Sequence, residues 1–156
     1  MIERMVLLPG ERVLELAGGP GGVGLAAADN VGVDGEVVLS DVVPAMAVIA
    51  AARAQQRGIP NVRTEVLDLE AIDAPDGRCD VVLCREGLMF AADPPRACRE
   101  IHRVLGGGGR AAIAVWGPRS DNPRLAVVLD AVATVTGHEV PPPGVPGPFA
   151  LHDRTF

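Results

Sequence analysis

Five short runs rich in Val and Leu alternate with longer stretches of helical pattern, and this alternation narrows the fold more than any other feature. The runs are Val13–Leu16 (VLEL), Glu36–Ser40 (EVVLS), Val62–Leu67 (VRTEVL), Asp80–Cys84 (DVVLC) and Arg110–Trp116 (RAAIAVW). Most are apolar at nearly every position, as strands covered on both faces are. Between them, Gly22–Asn30 follows a glycine cluster, and Pro44–Gly58 opens on Pro and closes on Gly, the usual helix punctuation. Asp93 is placed to cap a third helix with Pro94 just inside it, Ala97, Ile101, Val104 and Leu105 on one face, and Gly106 past its end. A fourth begins at Asp121 or Asn122 with Pro123 and stops at Gly137, with Leu125, Val128, Leu129 and Val132 on its apolar face. Strands alternating with helices predict an α/β fold with a doubly wound parallel sheet.

The 156 residues suit a single domain, with its core over 12–137 and a Pro/Gly-rich tail over 138–156. Within that tail EVPPPGVPGPF reads as an extended, proline-stiffened loop. No strand pattern follows Gly137, so Arg110–Trp116 is expected to form a bare sheet edge, open to a second copy of the chain.

Composition removes several chemistries. All 14 basic residues are Arg, which excludes a Walker-type phosphate lysine and a Schiff-base lysine. Tyr is absent and Ser occurs only at Ser40 and Ser120, poor material for a serine hydrolase. The net charge of -6 argues against nucleic acid as a partner. Cys79, Cys84 and Cys98 show no C-x-x-C spacing and no clustered His, so no metal is implied, and their odd number fits reduced thiols in a cytoplasmic setting. The longest apolar run, AMAVIAAA from Ala45, is too short to span a bilayer, and MIERMVLL lacks the layout of a secretory signal.

The strongest site signal is VLELAGGPGGVG, Val13 to Gly24. Gly18, Gly19, Gly21 and Gly22 allow a tight turn in which a ligand touches the main chain. The free N–H groups of the following helix then favour a carboxylate or phosphate. Gly19-x-Gly21-x-x-Gly24 also fits the dinucleotide fingerprint, and Asp41 lies 20 residues after Gly21, where a ribose-binding acid belongs. Glu15 divides the two readings. A carboxylate inside the first parallel strand is expensive to bury unless it is paired, and a ligand ammonium group would give it a partner.

From here the chain resembles a class I S-adenosylmethionine-dependent methyltransferase of the small-molecule type that includes the ubiquinone/menaquinone-biosynthesis methyltransferases. The resemblance is carried by VLELAGGPG, VVLSDVVPAM, VRTEVLDLE, DVVLCREGLMF and REIHRVLGGGGRAAIAVW, in that order from Arg12 to Trp116. It implies a Rossmann-like sheet of order 3-2-1-4-5, the cofactor S-adenosyl-L-methionine and a small-molecule methyl acceptor. By position, Ala17, Gly18, Gly19, Pro20 and Gly21 would pass close to the methionine part and ribose, with Glu15 facing the amino group. Asp41 would accept from both ribose hydroxyls, and Asp68 from the adenine amino group, while Leu69 offers its backbone N–H. Val42 and Met46 would pack the adenine, and Cys84 and Arg85 would line the methionine end.

Ala17 stands in place of the family's first glycine, and Gly107 in place of the usual Pro before the fifth strand. Relative to the family the chain looks cut short at both ends, without the usual last two strands. A non-catalytic cofactor-binding or assembly subunit is therefore the alternative from another class. An NAD(P)-dependent oxidoreductase is a further one, against which Glu15, Asp68 and the lack of a Tyr-x-x-x-Lys proton donor count. No general base is assigned. Glu86, just after the fourth strand, stands where ligands gather in such sheets. His102 reads as a solvated or half-buried helix histidine, the Arg96, Arg99 and Arg103 series as solvated helix surface, and Cys84 as a small core residue at the strand end.

Overall fold

Hydrophobic alternation sorts the strands into two packed layers around one sheet. The computed structural model describes residues 1, 5–142 and 144–152. The elements are β1 (Arg12–Leu16), α1 (Gly22–Val31), β2 (Glu36–Asp41), α2 (Pro44–Gln56), β3 (Val62–Val66), β4 (Cys79–Arg85), α3 (Pro94–Val104), β5 (Leu105–Ala114) and α4 (Pro123–Thr136), with short 3-10 turns at Leu88–Phe90 and Arg119–Asp121. All pairings are parallel, as the sequence pattern predicts, and the order is β3-β2-β1-β4-β5, as the family resemblance implies. Because side chains alternate across a strand, Val13, Val37, Leu39, Val81 and Leu83 face α1 and α2, against Leu25, Ala27, Ala28, Val31, Ala50 and Ala54. Leu14, Leu16, Val38, Val82 and Cys84 face the other way, onto Ala97, Ile101 and Val104 of α3.

Local chemistry sets the helix starts. Pro44 and Pro123 open α2 and α4, and Asp93 caps α3 by accepting from the Arg96 N–H at 2.9 Å. The link between β3 and β4 contains no helix; α3 holds it instead. Glu100 accepts from the Ile72 N–H at 2.9 Å, and Arg103 donates to the Ile72 and Ala74 carbonyls, each at 2.7 Å, while pairing with Asp76. Arg96 and Arg99 are exposed, as is His102, but Arg103 is a strut rather than free surface.

Three expectations need correction. β5 begins at Leu105, five residues earlier than predicted, and ends at Ala114 rather than Trp116. Leu105 pairs with Cys79 and Arg110 with Val81, so Gly106–Gly109 form a bulge opposite a single residue, and α3 passes into the strand without a loop. α4 forms over the predicted span but buries none of its residues: Val128 is 59% and Val132 52% exposed. Its main partner is the neighbouring Arg119–Asp121 turn, and among the described residues no strand pairs with the outer edge of β5 to bring the helix over the sheet. The tail is not simply extended. It turns back so that Phe149 is 5% exposed, the Gly147 N–H donates to the Met89 carbonyl at 3.0 Å, and Leu151 packs on the α3-side core. The last residues of the tail, 153–156, lie outside the described residues. Among the described residues no helix is long and apolar enough to cross a membrane.

The two helix environments predict opposite sensitivities. Ile101→Ala, in the core, is expected to lower the unfolding free energy by about 2–5 kcal/mol. The paired change Val128→Asp/Val132→Asp on α4 should shift it by less than about 0.5 kcal/mol per site. Urea denaturation of both variants measures the contrast.

Candidate functional site

The C-terminal ends of β1, β2, β3 and β4 lie side by side, and the turns that leave them build one concave site. After β1 the backbone enters the left-handed region at Ala17 (φ 51°), where a side chain is tolerated at some strain, and again at Gly19 (φ 53°), where glycine is at ease. The Gly18 N–H is held by the Ser40 carbonyl at 2.8 Å, and the Gly19 N–H donates to Asp41 Oδ2 at 2.9 Å. Gly21 is the N-cap of α1, and the Pro20 carbonyl accepts from Arg53 at 2.8 Å.

Glu15 is the buried charge-bearing group beneath this turn, 2% exposed. Its Oε2 accepts from the Gly24 N–H at 2.8 Å, so a side chain from the strand satisfies an orphan donor in the first turn of α1. Desolvation dominates its titration and raises the carboxyl from 4.5 to about 7, against the opposing pull of the Gly24 and Val23 N–H groups and the Arg85 charge. Gly24 is tightly packed here. A Cβ on it would lie 1.8 Å from Leu39 Cδ2 and 2.5 Å from Glu15 Oε2. The signal was present in the third glycine of the fingerprint, whose purpose is close helix–strand packing.

Asp41 ends β2 with both oxygens oriented by backbone, Oδ2 by Gly19 and Oδ1 by the Val43 N–H at 2.9 Å. Asp68, just beyond β3, uses Oδ1 to accept from the Glu70 N–H at 2.8 Å. Glu70 in turn accepts from the Ala92 N–H at 2.6 Å and ties this turn to the segment after β4. Together they border a cavity of about 470 Å³, within the range of small-molecule sites.

Of the residues expected from sequence, Ala17, Asp41, Val42, Asp68 and Leu69 line that cavity. Glu15, Gly18, Gly19, Pro20 and Gly21 form the adjoining turn and its support rather than the cavity wall. Arg85 is exposed at the end of β4, on the side of Gly22: a Cβ there would lie 3.8 Å from Arg85 Nη2. Met46, in the first turn of α2, is not among the lining residues, and Cys84 is fully buried in the α3-side core, where burial pushes its thiol pKa up. Glu86, expected after the fourth strand where ligands gather, lines the cavity, together with Leu67, Glu70, Gly87, Phe90, Ala91 and Ala92, which the sequence did not single out.

A family model described as "Methyltransferase domain" matches residues 13–109, which span β1 to the glycine bulge of β5. The chain belongs to the methyltransferase-domain family. It is 37% identical over 130 residues to the ubiquinone/menaquinone biosynthesis C-methyltransferase UbiE of Ectopseudomonas mendocina, a match covering 83% of this chain and 50% of that protein. The chain thus spans about half the length of the curated relatives it matches. Among solved structures, the YcgJ protein from Bacillus subtilis aligns with a TM-score of 0.68 at 27% identity, covering 83% of this chain and 55% of that one. The [4+2]-cyclase SpnF aligns with a TM-score of 0.66 at 32% identity, covering 72% and 41%.

Two outcomes follow for the methyltransferase-domain turn. The folded Glu15 carboxyl keeps its proton to about pH 7, whereas the unfolded chain releases it near the ordinary value. Stability is therefore expected to fall as pH rises from about 4.5 to 7, by on the order of 3 kcal/mol at most. Glu11, Glu36, Asp80 and Glu100 are all lowered, so their stabilisation is lost only as pH falls through the acid range. Urea unfolding between pH 5 and pH 8 should show the slope, and Glu15→Gln should flatten it. Gly24→Ala is expected to destabilise by about 1–3 kcal/mol or more through overpacking, read from the same unfolding curves.

Proposed function

We propose that this chain binds S-adenosylmethionine across the ends of β1 to β4 and serves methyl transfer to a small-molecule acceptor. The observation that carries the reading is Asp41. Its two oxygens are each fixed by one backbone N–H and retain further lone pairs facing a cavity, the arrangement needed to accept from two vicinal hydroxyls. Among the described residues only Oδ1 of Asp68 has a hydrogen-bond partner, which leaves Oδ2 for an exocyclic amine, and Leu67 and Leu69 supply apolar wall on either side of it. The N-terminus of α1, with Arg85 above Gly22, suits an amino-acid carboxylate. These donors and acceptors fit the cofactor.

When bound, the cofactor supplies a methyl group on a positively charged sulfur, which an acceptor attacks in line. The protein's part is to hold and align the reactants and to exclude water. Asp41 and Asp68 fix the nucleoside, and the Ala17–Gly21 turn fixes the other end. The relative's name attaches C-methylation to quinone biosynthesis; for this chain we propose only a small-molecule acceptor. The free edge of β5 is the surface through which two copies would pair.

A second reading has its own support. The SpnF structure carries the name of a cyclase, so this core serves more than one chemistry, and a cofactor-binding role without turnover remains the alternative.

Isothermal titration with S-adenosylmethionine, S-adenosylhomocysteine and NADH tests the proposal. Binding of the first two alone is expected, and Asp41→Ala should weaken it by about one to two decades, since hydrogen bonds to a charged group contribute roughly 1.5–3 kcal/mol. NADH binding, or no binding of either thioether or sulfonium by the folded chain, would overturn it.

A further inference from the structure

The segment that leaves β4 carries an acidic side chain, Glu86, that no other described residue engages. Four carboxylates line the cavity: Asp41, Asp68, Glu70 and Glu86. The first three are occupied by backbone N–H groups of Gly19 and Val43, Glu70, and Ala92 respectively. Among the described residues, Glu86 makes no side-chain hydrogen bond and no ion pair. Its neighbour Arg85 does not pair with it either, lying instead on the side of Gly22.

Glu86 is nevertheless held firmly. Its backbone sits at φ 60°, a conformation that strains a side-chain-bearing residue. Its N–H donates to the Ala114 carbonyl at 2.7 Å, which pins it to the end of β5. Gly87 locks the other side: a Cβ there would lie 2.4 Å from Ala17 Cβ and 2.9 Å from Cys84 Sγ, so the turns after β1 and β4 are in direct contact. A strained, pinned residue with a free carboxylate at a cavity wall is placed to meet something that enters the cavity.

Strand order indicates what it meets. Asp68 follows β3, Asp41 ends β2 and Ala17 follows β1, while β4 pairs with the far side of β1. A nucleoside read by Asp68 and then Asp41 runs along the sheet from β3 toward β1. Its 5′ substituent is thereby carried to the boundary of β1 and β4, where Glu86 stands.

We propose that Glu86 is the counter-charge for the sulfonium, distinguishing the charged methyl donor from its neutral thioether product. This rests on the cofactor reading above and adds a specificity-determining residue to it. A carboxylate near a cation at a half-exposed site attracts it appreciably even in a high dielectric, and salt weakens the attraction. Loss of the sulfur charge on methyl transfer would remove that attraction and ease product release.

The test is titration of wild type, Glu86→Gln and Glu86→Gly with S-adenosylmethionine and S-adenosylhomocysteine at low and high salt. Both variants should lose about tenfold in affinity for the sulfonium while binding the thioether within about twofold of wild type, and the wild-type sulfonium affinity should fall more steeply with salt. The Gly variant relieves the strained φ, so it separates loss of charge from failure to fold. Unchanged sulfonium affinity in both variants, or equal loss for both ligands, would overturn the proposal. Wild type binding neither ligand would overturn the cofactor reading first, and this inference with it.

Discussion

The hydrogen bond from the Gly24 N–H to Glu15 joins the strand at the centre of the sheet to the helix that follows it. A carboxylate that is almost wholly buried has few ways to avoid a large desolvation penalty, and here it uses the unpaired donors of α1. That choice fixes how closely α1 approaches β1, since only glycine at position 24 leaves room for both Glu15 and Leu39. The approach sets the course of the Ala17–Gly21 turn, and that turn delivers the Gly19 N–H that aims Asp41. A chain of short-range constraints thus runs from a strand interior to a carboxylate at the cavity wall.

The opposite wall of the cavity is built by a different device. Where a helix would ordinarily separate β3 from β4, a short irregular link is clamped by Arg103 and Glu100 of α3. Both walls meet through Glu70 and Ala92, and the tail adds its own hold on the Leu88–Phe90 turn through Gly147. The cavity is therefore framed by backbone groups that polar side chains hold in place, with apolar residues supplying its surface.

How much of this was legible in the sequence depended on the range of the interaction. The strands and helix caps followed from apolar runs, prolines and Asp93, all local signals, whereas the sheet order came from the family resemblance. The start of β5 was missed because four glycines look like a loop, while the pairing of Leu105 with Cys79 is non-local. The apolar face of α4 was visible as a pattern, but periodicity does not say whether a surface exists to receive it. Asp41 was singled out by its spacing from the glycine turn, and Asp68 by the family resemblance. Glu86 was also visible by its position after the fourth strand, whereas Glu70 declares itself only through its partner on a distant segment. The resemblance drew Cys84 toward the methionine end, while its own reading as a small core residue matches the pleat, which turns it into the core.

The bulge at Gly106–Gly109 leaves four residues of slack opposite one residue of β4, and nothing would touch a Cβ at Gly107 or Gly108. It lies at the N-terminal end of β5, the end of the sheet remote from the cavity. Additional residues there would loop out into solvent without altering the strand register beyond Arg110. The fold therefore offers a point remote from its site where a tag or a reporter is expected to be accommodated while the C-terminal ends of the strands keep their shape.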